Sequence, residues 1–251
     1  MCLIVLAIEQ HPEFPLILAA NRDEFHARPA KNAHWWPDKP GIVGGRDLQA
    51  GGTWLALHRN GRFATVTNYR DAKPPSPKYR SRGHLVTDYL ESDLAPSAFL
   101  DTVDEDAYAG FNLIVGTAGD VAYLSNREEG RRALGPSTYG LSNALLDGPW
   151  HKVESIKKKL SALLDADNVN ETSLMRLMNN RSRGPVSEVE KGHLDFGTAH
   201  AITAPFIVMP DYGTRCTTLV LLDSDGTWHV AERRFDPAGQ KAGESRLSFQ
   251  D

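Results

Sequence analysis

The sequence predicts an α+β fold in which mainly antiparallel sheets are layered with helices outside them. Three observations carry this reading. Apolar runs recur in pairs across turn-forming residues, helical periodicity is confined to stretches between blocks of strands, and no repeat or linker divides the 251 residues into halves. One domain over 1–236 is the simplest division. The polar residues 237–251 lack a hydrophobic pattern and read as a surface tail.

The strands follow in order. Leu3–Ile8 and Leu16–Ala20 are continuous apolar runs joined through His11-Pro12-Glu13, a hairpin connection. Trp54–Leu57 and Phe63–Thr67 flank Asn60-Gly61, and Asn-Gly between apolar runs is a strong hairpin signal. Phe111–Val115 and Val121–Leu124 bracket Gly119-Asp120, and Thr217–Leu222 and Trp228–Ala231 bracket Asp225-Gly226. Repeated hairpins make the sheets antiparallel. Val153, Ile156, Leu160, Leu163 and Leu164 keep helical spacing behind the start signals Asp147 and Pro149. Leu174, Leu177 and Met178 form a second apolar helical face after the candidate cap Asn170. Weaker helices are expected over His84–Leu90 and after Pro96, and Lys73–Pro77 reads as a proline-rich loop.

Composition removes several function classes. Hydrophobic residues are 41 % and charged residues 24 %, ordinary globular values, and a chain of this length folds without disulfide or metal staples. The net charge is −4, and the densest positive run, Lys157-Lys158-Lys159, suits the wet face of a helix. A dedicated nucleic-acid binder would need a basic footprint. Two cysteines, Cys2 and Cys216, form neither a CxxC pair nor a disulfide framework, and nine scattered histidines lack HExxH spacing. No metal site is expected. The apolar opening is interrupted at Glu9 and lacks a basic leader, so neither a signal peptide nor a membrane span is read there. The expected compartment is the cytoplasm.

The residue with most chemical content is Cys2. Once Met1 is removed, it carries a thiol of reference pKa about 8.5 and an α-amine of about 7.7–8.0. One residue then supplies nucleophile and base, as in amino-terminal threonine enzymes; taken alone, a cysteine here is ordinarily a small residue opening a strand. Asn21-Arg22-Asp23-Glu24 leaves an apolar strand and either borders a site at the sheet edge or forms a solvated turn. Gly44-Gly45-Arg46-Asp47 with Gly51-Gly52-Thr53-Trp54 matches no phosphate-binding fingerprint and reads as a structural loop feeding a hairpin. Asn68 and Asn143 stand at strand ends, where amides either donate to an oxyanion or merely make turns. Arg215 either orients a nucleophile or is a surface charge. Gly140-Leu141-Ser142-Asn143-Ala144 nearly matches a serine-hydrolase elbow, but its last position is alanine. Trp35-Trp36 beside Pro37 lines an apolar pocket or belongs to the core.

Met1-Cys2, Asn21-Arg22-Asp23-Glu24 with Phe25 and Arg28-Pro29, and Gly45-Arg46-Asp47 with Gly51-Gly52-Thr53-Trp54 together resemble the NRDE family. Thr67-Asn68-Tyr69, Ser81-Arg82-Gly83, Gly140-Leu141-Ser142-Asn143 and Tyr212-Gly213-Thr214-Arg215 extend the resemblance to about Phe235. This family is also called the transport and Golgi organisation protein 2 family. Its pattern is similar to amino-terminal-nucleophile hydrolases of the bile-salt hydrolase and penicillin V acylase type. That similarity implies a four-layer αββα sandwich and cleavage of non-peptide amides. It makes Cys2 the nucleophile and its freed amine the base. Asn68 and Asn143 become the asparagines beside the tetrahedral intermediate, and Arg215 the late arginine beside the nucleophile. In those acylases the early element is Arg-Asn-x-Asp; here Asn21 and Asp23 match, the arginine position is Ala20, and Arg22 falls on the variable position. In an extended chain Asn21 and Asp23 share one face and Arg22 takes the other, which puts Asp23 beside the Cys2 amine. Cys216 stands where the family has serine and reads as a small core substitution.

These residues support a cysteine hydrolase of a small-molecule amide or acyl bond, with Cys2, Asp23, Asn68, Asn143 and Arg215 catalytic. Asn21, Arg22, Trp35, Trp36 and Trp54 are the candidate substrate contacts. No cofactor is needed for that chemistry. The alternative is a non-catalytic carrier of the same fold with haem or a lipid as ligand, to which the family has been linked. A scaffold for protein partners ranks last, because no coiled coil, repeat or apolar surface helix is present.

Overall fold

The computed structural model describes residues 2–71, 78–189, 192 and 194–250. Met1 and the proline-rich stretch expected as a loop at 73–77 lie outside them. Strands and helices follow the chain as β1 (Cys2–Ile8), β2 (Leu16–Phe25), β3 (Ala30–Trp35), β4 (Ile42–Asp47), β5 (Leu55–His58), β6 (Phe63–Asn68), α1 (Gly83–Leu90) and α2 (Pro96–Asp101). They continue as β7 (Phe111–Gly116), β8 (Val121–Ser125), β9 (Arg131–Ala133), β10 (Ser137–Leu141), α3 (His151–Asp165), α4 (Glu171–Met178) and α5 (Phe196–Ala201). The last three strands are β11 (Tyr212–Leu222), β12 (Thr227–Phe235) and β13 (Lys241–Gln250).

The strands form a 6-stranded sheet, β10-β1-β2-β11-β12-β13, and a 7-stranded sheet, β3-β4-β5-β6-β7-β8-β9. Every pairing in both ladders is antiparallel. Period-two alternation assigns the faces. Ile4, Leu6, Leu18 and Ala20 point between the sheets and meet Leu55, Leu57, Phe63, Ile114 and Trp228. Leu3, Val5, Ala7, Ile17 and Ala19 point the other way, onto Val153, Ile156 and Leu160 of α3 and Leu174 and Met178 of α4. On the outer face of the seven-stranded sheet, Ala56, Val66, Leu113 and Val115 pack on Leu85, Val86 and Tyr89 of α1 and Phe99 of α2. Three apolar layers therefore hold an αββα sandwich. Such layering is expected when each sheet must bury both faces.

The expected hairpins are β1–β2, β5–β6, β7–β8 and β11–β12. The α4 cap is also as expected: the Asn170 side chain accepts from Ser173 N–H, and the Ser173 hydroxyl reciprocates. Two segments read as a loop and as a tail are strands. Gly44–Asp47, expected as a loop, lies in β4, where Gly44 permits close approach to Ala56 on β5. Residues 237–251, expected as a polar tail, contain β13, an edge strand paired with β12 over most of its length. Its buried Phe249 packs on Trp35 and Trp228, while its outer face is polar because an edge strand meets water.

Candidate functional site

The antiparallel register of β1 and β2 sets Cys2 opposite Arg22. Cross-strand partners share a face, so the thiol and the guanidinium both face the space between the sheets. The strand does not stop at Ala20 but runs to Phe25, so the Asn21–Glu24 element is extended rather than a turn. Asn21 and Asp23 accordingly turn towards the helix layer. Asn21 donates to the carbonyls of Met178 and Pro205 at 2.9 Å each and accepts from the Thr217 hydroxyl at 2.6 Å. Asp23 is buried and accepts from the Thr214 hydroxyl at 2.7 Å. The Tyr212 hydroxyl donates to its carbonyl oxygen at 2.8 Å.

Cys2 and Arg22 open onto a cavity of about 530 Å³. Trp54, Asn68, Arg28 and Arg82 complete the part of its wall that matters chemically. The Arg22 guanidinium lies 4.3 Å from the centroid of the Trp54 ring, a stacking worth about 0.5–2 kcal/mol. The ring can lie there only because residue 45 is glycine: a Cβ would fall 2.4 Å from it. A second close approach shapes the wall. A Cβ on Gly52 would lie 2.5 Å from the carbonyl carbon of Gly83, so loop and α1 meet backbone to backbone. This contact brings Arg82, the residue before α1, to the cavity, where its Nη1 also donates to the Gly110 carbonyl at 3.0 Å.

Charge in the cavity is unevenly neutralised. Arg28 is held by Asp47 through two hydrogen bonds, at 3.0 and 2.5 Å, and lies 3.8 Å from Glu24. Arg22 and Arg82 make no ion pair with a carboxylate among the described residues. Burial pushes the Cys2 thiol up, as does the negative charge of Asp23, while the Asp23 backbone hydrogen bond and the Arg22 charge pull it down. Burial also raises the Asp23 carboxyl, against the opposing pull of Lys152, Thr214 and Arg22. Lys152, on the first turn of α3, is 1 % exposed, and burial drives its ammonium down against the field of Asp23 and Cys2. Among the described residues no group of three His, Cys, Asp or Glu is arranged to hold a metal ion. None of their helices is long and apolar enough to cross a membrane.

The family model for Transport and Golgi organisation 2 matches residues 1–237. The human Transport and Golgi organization protein 2 homolog is 37% identical, over 93% of this chain and 92% of its own length. The chain belongs to the Transport and Golgi organisation 2 family. The Drosophila melanogaster Transport and Golgi organization protein 2 is 29% identical over 96% of this chain and 95% of its own. Among solved structures, a variant of the conjugated bile acid hydrolase from Clostridium perfringens superposes with a TM-score of 0.56 at 8% identity, covering 98% of this chain and 92% of that one. This likeness establishes the shared amino-terminal-nucleophile hydrolase fold.

Within this Transport and Golgi organisation 2 chain, the residues singled out from sequence divide into two groups. Cys2, Arg22, Asp23, Trp54 and Asn68 border one cavity. Asn68 is exposed at the end of β6, and its side-chain amide makes no hydrogen bond among the described residues. Asn143 is buried behind it: its Nδ2 donates to the Asn68 carbonyl at 2.6 Å, and its Oδ1 accepts from Ser142, whose hydroxyl also donates to the Cys2 carbonyl at 2.8 Å. Asn143 thus ties Asn68 to the head of β1 rather than lining the cavity. Arg215 is absent from the wall too. It sits at a bulge between Thr214 and Cys216, and its Nη1 donates to the carbonyls of Phe25 and Arg28 at 2.8 and 3.1 Å, bracing the turn after β2. Asn21 points into the helix layer, for the parity reason given above. Trp36 is 2 % exposed in the outer core, its Nε1 bonded to the Gly44 carbonyl, and Trp35 packs on Phe249. Neither tryptophan reaches the cavity. Cys216 is buried, as a core substitution requires.

Sequence reasoning missed Lys152, and it named Arg82 and Thr214 only within the family pattern, without a role. Lys152 keeps a four-residue spacing with Ile156 and Leu160, the buried stripe of α3, and that spacing was the available signal.

Proposed function

We propose that this chain is an amino-terminal cysteine hydrolase acting on a non-peptide amide or acyl bond of a small molecule. The observation that carries the reading is the placement of Cys2: it heads β1, faces a cavity of about 530 Å³ and stands opposite Arg22. The name of the conjugated bile acid hydrolase that shares the fold supports it. After Met1 is removed, the Cys2 α-amine accepts the thiol proton as sulfur attacks the substrate carbonyl carbon. The oxyanion is met by the Asn68 amide and the field of Arg22. Collapse breaks the C–N bond, and the amine proton passes to the leaving nitrogen. Water, deprotonated by the same amine, then cleaves the thioester, releasing the acid and restoring the thiol.

The test is intact-mass analysis of purified protein before and after treatment with iodoacetamide. The expected result is loss of the Met1 mass and one rapid adduct, absent in Cys2→Ala, because Cys216 is buried. A folded protein that retains Met1, or in which Cys2 does not react, overturns the proposal. The alternative of a non-catalytic haem or lipid carrier drew on Trp35 and Trp36 as an apolar pocket, and both are packed elsewhere. Haem titration of wild type and Cys2→Ala separates the two readings.

A further inference from the structure

A second cavity, of about 370 Å³, opens where α3 begins, and none of its lining residues lines the first. Pro149, Trp150 and Ile202 give it apolar wall; Arg70, His151 and Lys152 give it cationic or protonatable wall; among the described residues no carboxylate lines it. Two independent features converge there. The first is the start of a 15-residue helix whose cap residue, Trp150, offers no side-chain acceptor. The N–H groups of His151 and Lys152 have no acceptor among the described residues, so the positive end of the helix dipole is open to the cavity. The second is Lys152. Its Nζ is buried and makes no hydrogen bond among the described residues. Asp23 lies within its field, but no ion pair closes between them.

The Trp150 ring, its centroid 5.8 Å from Nζ, is a weak partner for a buried ammonium, and such a group without a hydrogen bond calls for an explanation. A helix N-terminus and a lysine on one apolar-walled cavity are together the chemistry of anion capture. We propose that this cavity binds the anionic head of a small ligand with an apolar body, a carboxylate or a phosphate monoester, through Lys152 and the open first turn of α3. The aromatic face of Trp150 and the side chain of Ile202 take the apolar part. The binding is separate from the Cys2 cavity and does not depend on hydrolysis.

The test is calorimetric titration of the full chain with phenyl phosphate, benzoate and the uncharged benzyl alcohol. At least one anion saturates the wild type, the alcohol does not, and the tighter of the two anions names the head group. Lys152→Met, which keeps the stem and removes the charge, weakens anion binding by about tenfold or more. His151→Glu, at a half-buried wall position, weakens it in the same direction by charge repulsion and serves if the first variant does not fold. Arg22→Met, in the other cavity, leaves the affinity unchanged. The proposal is overturned if neither anion saturates the wild type at millimolar concentration. It is equally overturned if the folded variants of Lys152 and His151 bind as the wild type does, or if Arg22→Met abolishes binding.

Discussion

The contact between Gly52 and Gly83 is the most demanding packing feature of the cavity wall, and Gly52→Ala tests it. A Cβ at residue 52 would lie 2.5 Å from the Gly83 carbonyl carbon and 2.6 Å from its oxygen. Ordinary contact begins near 3.4 Å, so loop and helix must separate by about 1 Å, and no flexible side chain is available to yield. Overpacking of this kind costs about 1–3 kcal/mol. For a chain of this length each kcal/mol lowers the melting temperature by about 2–4 °C, so a fall of about 2–12 °C is expected. Gly119→Ala is the internal control, because a Cβ there meets nothing within 4 Å and the backbone is not left-handed. Differential scanning calorimetry of the three proteins reads the result. An unchanged melting temperature for Gly52→Ala, or an equal fall for Gly119→Ala, refutes the argument that backbone contact at this position builds the wall.

Three further outcomes are expected. Arg22→Met slows alkylation of Cys2 by iodoacetamide at pH 7 about three- to tenfold, the equivalent of the ~1 kcal/mol left after solvent screens a charge facing the thiolate across two strands; an unchanged rate removes Arg22 from the thiol's environment. Asn21→Ala strands the Met178 and Pro205 carbonyls and the Thr217 hydroxyl, costing about 2–4 kcal/mol in a urea titration while leaving the alkylation rate of Cys2 unaltered; the reverse pattern would return Asn21 to the site. Glu232 is 1 % exposed and burial raises its carboxyl above the ordinary value. A raised folded-state value gives stability that is present at acid pH and lost as pH rises through it. Glu232→Gln therefore gains stability over wild type at pH 8 and less so at pH 5, read as the difference in melting temperature. A constant difference across that range counts against the shift.

The fold was legible where local chemistry and tertiary packing agree. Asn60-Gly61 and Asp225-Gly226 demand hairpin turns, and Gly61 and Gly226 take the left-handed backbone that such turns use. Asn170 is written as a cap and serves as one. Strands β3 and β4 were not legible, because Ala30–Trp35 mixes polar with apolar residues at a sheet edge and Gly44-Gly45 has no intrinsic strand preference. The strand over Lys241–Gln250 was missed although Asp236-Pro237-Ala238-Gly239 carries turn chemistry ahead of it, since only Leu247 and Phe249 mark its inward face. Within the site, resemblance to a family supplied Cys2, Asp23 and Asn68. It also supplied Arg215 and Asn143, which the fold uses to brace neighbours. Lys152 was hidden by its company: lysines at 157–159 read as solvated, and only packing distinguishes a lysine turned inward.

The parity of a single strand organises what remains. Along β2, Arg22 shares a face with Cys2, while Asn21 and Asp23 turn towards the layer of α3 and α4, Asp23 still bordering the first cavity at the strand's end. A one-residue slip of β2 against β1 would exchange the two sets, and Thr217 holding Asn21 and Thr214 holding Asp23 oppose that slip from β11. The NRDE element is thus read in two directions at once. Its odd positions fix the strand to the helix layer and carry a carboxylate into the field of Lys152; its even positions place a cation over Trp54 beside the thiol. Substitutions at neighbouring positions of this element should therefore fail differently: those at residue 21 through folding, those at residue 22 through the reactivity of Cys2, and those at residue 23 through both, because the Asp23 carboxyl is buried and its charge acts on the thiol.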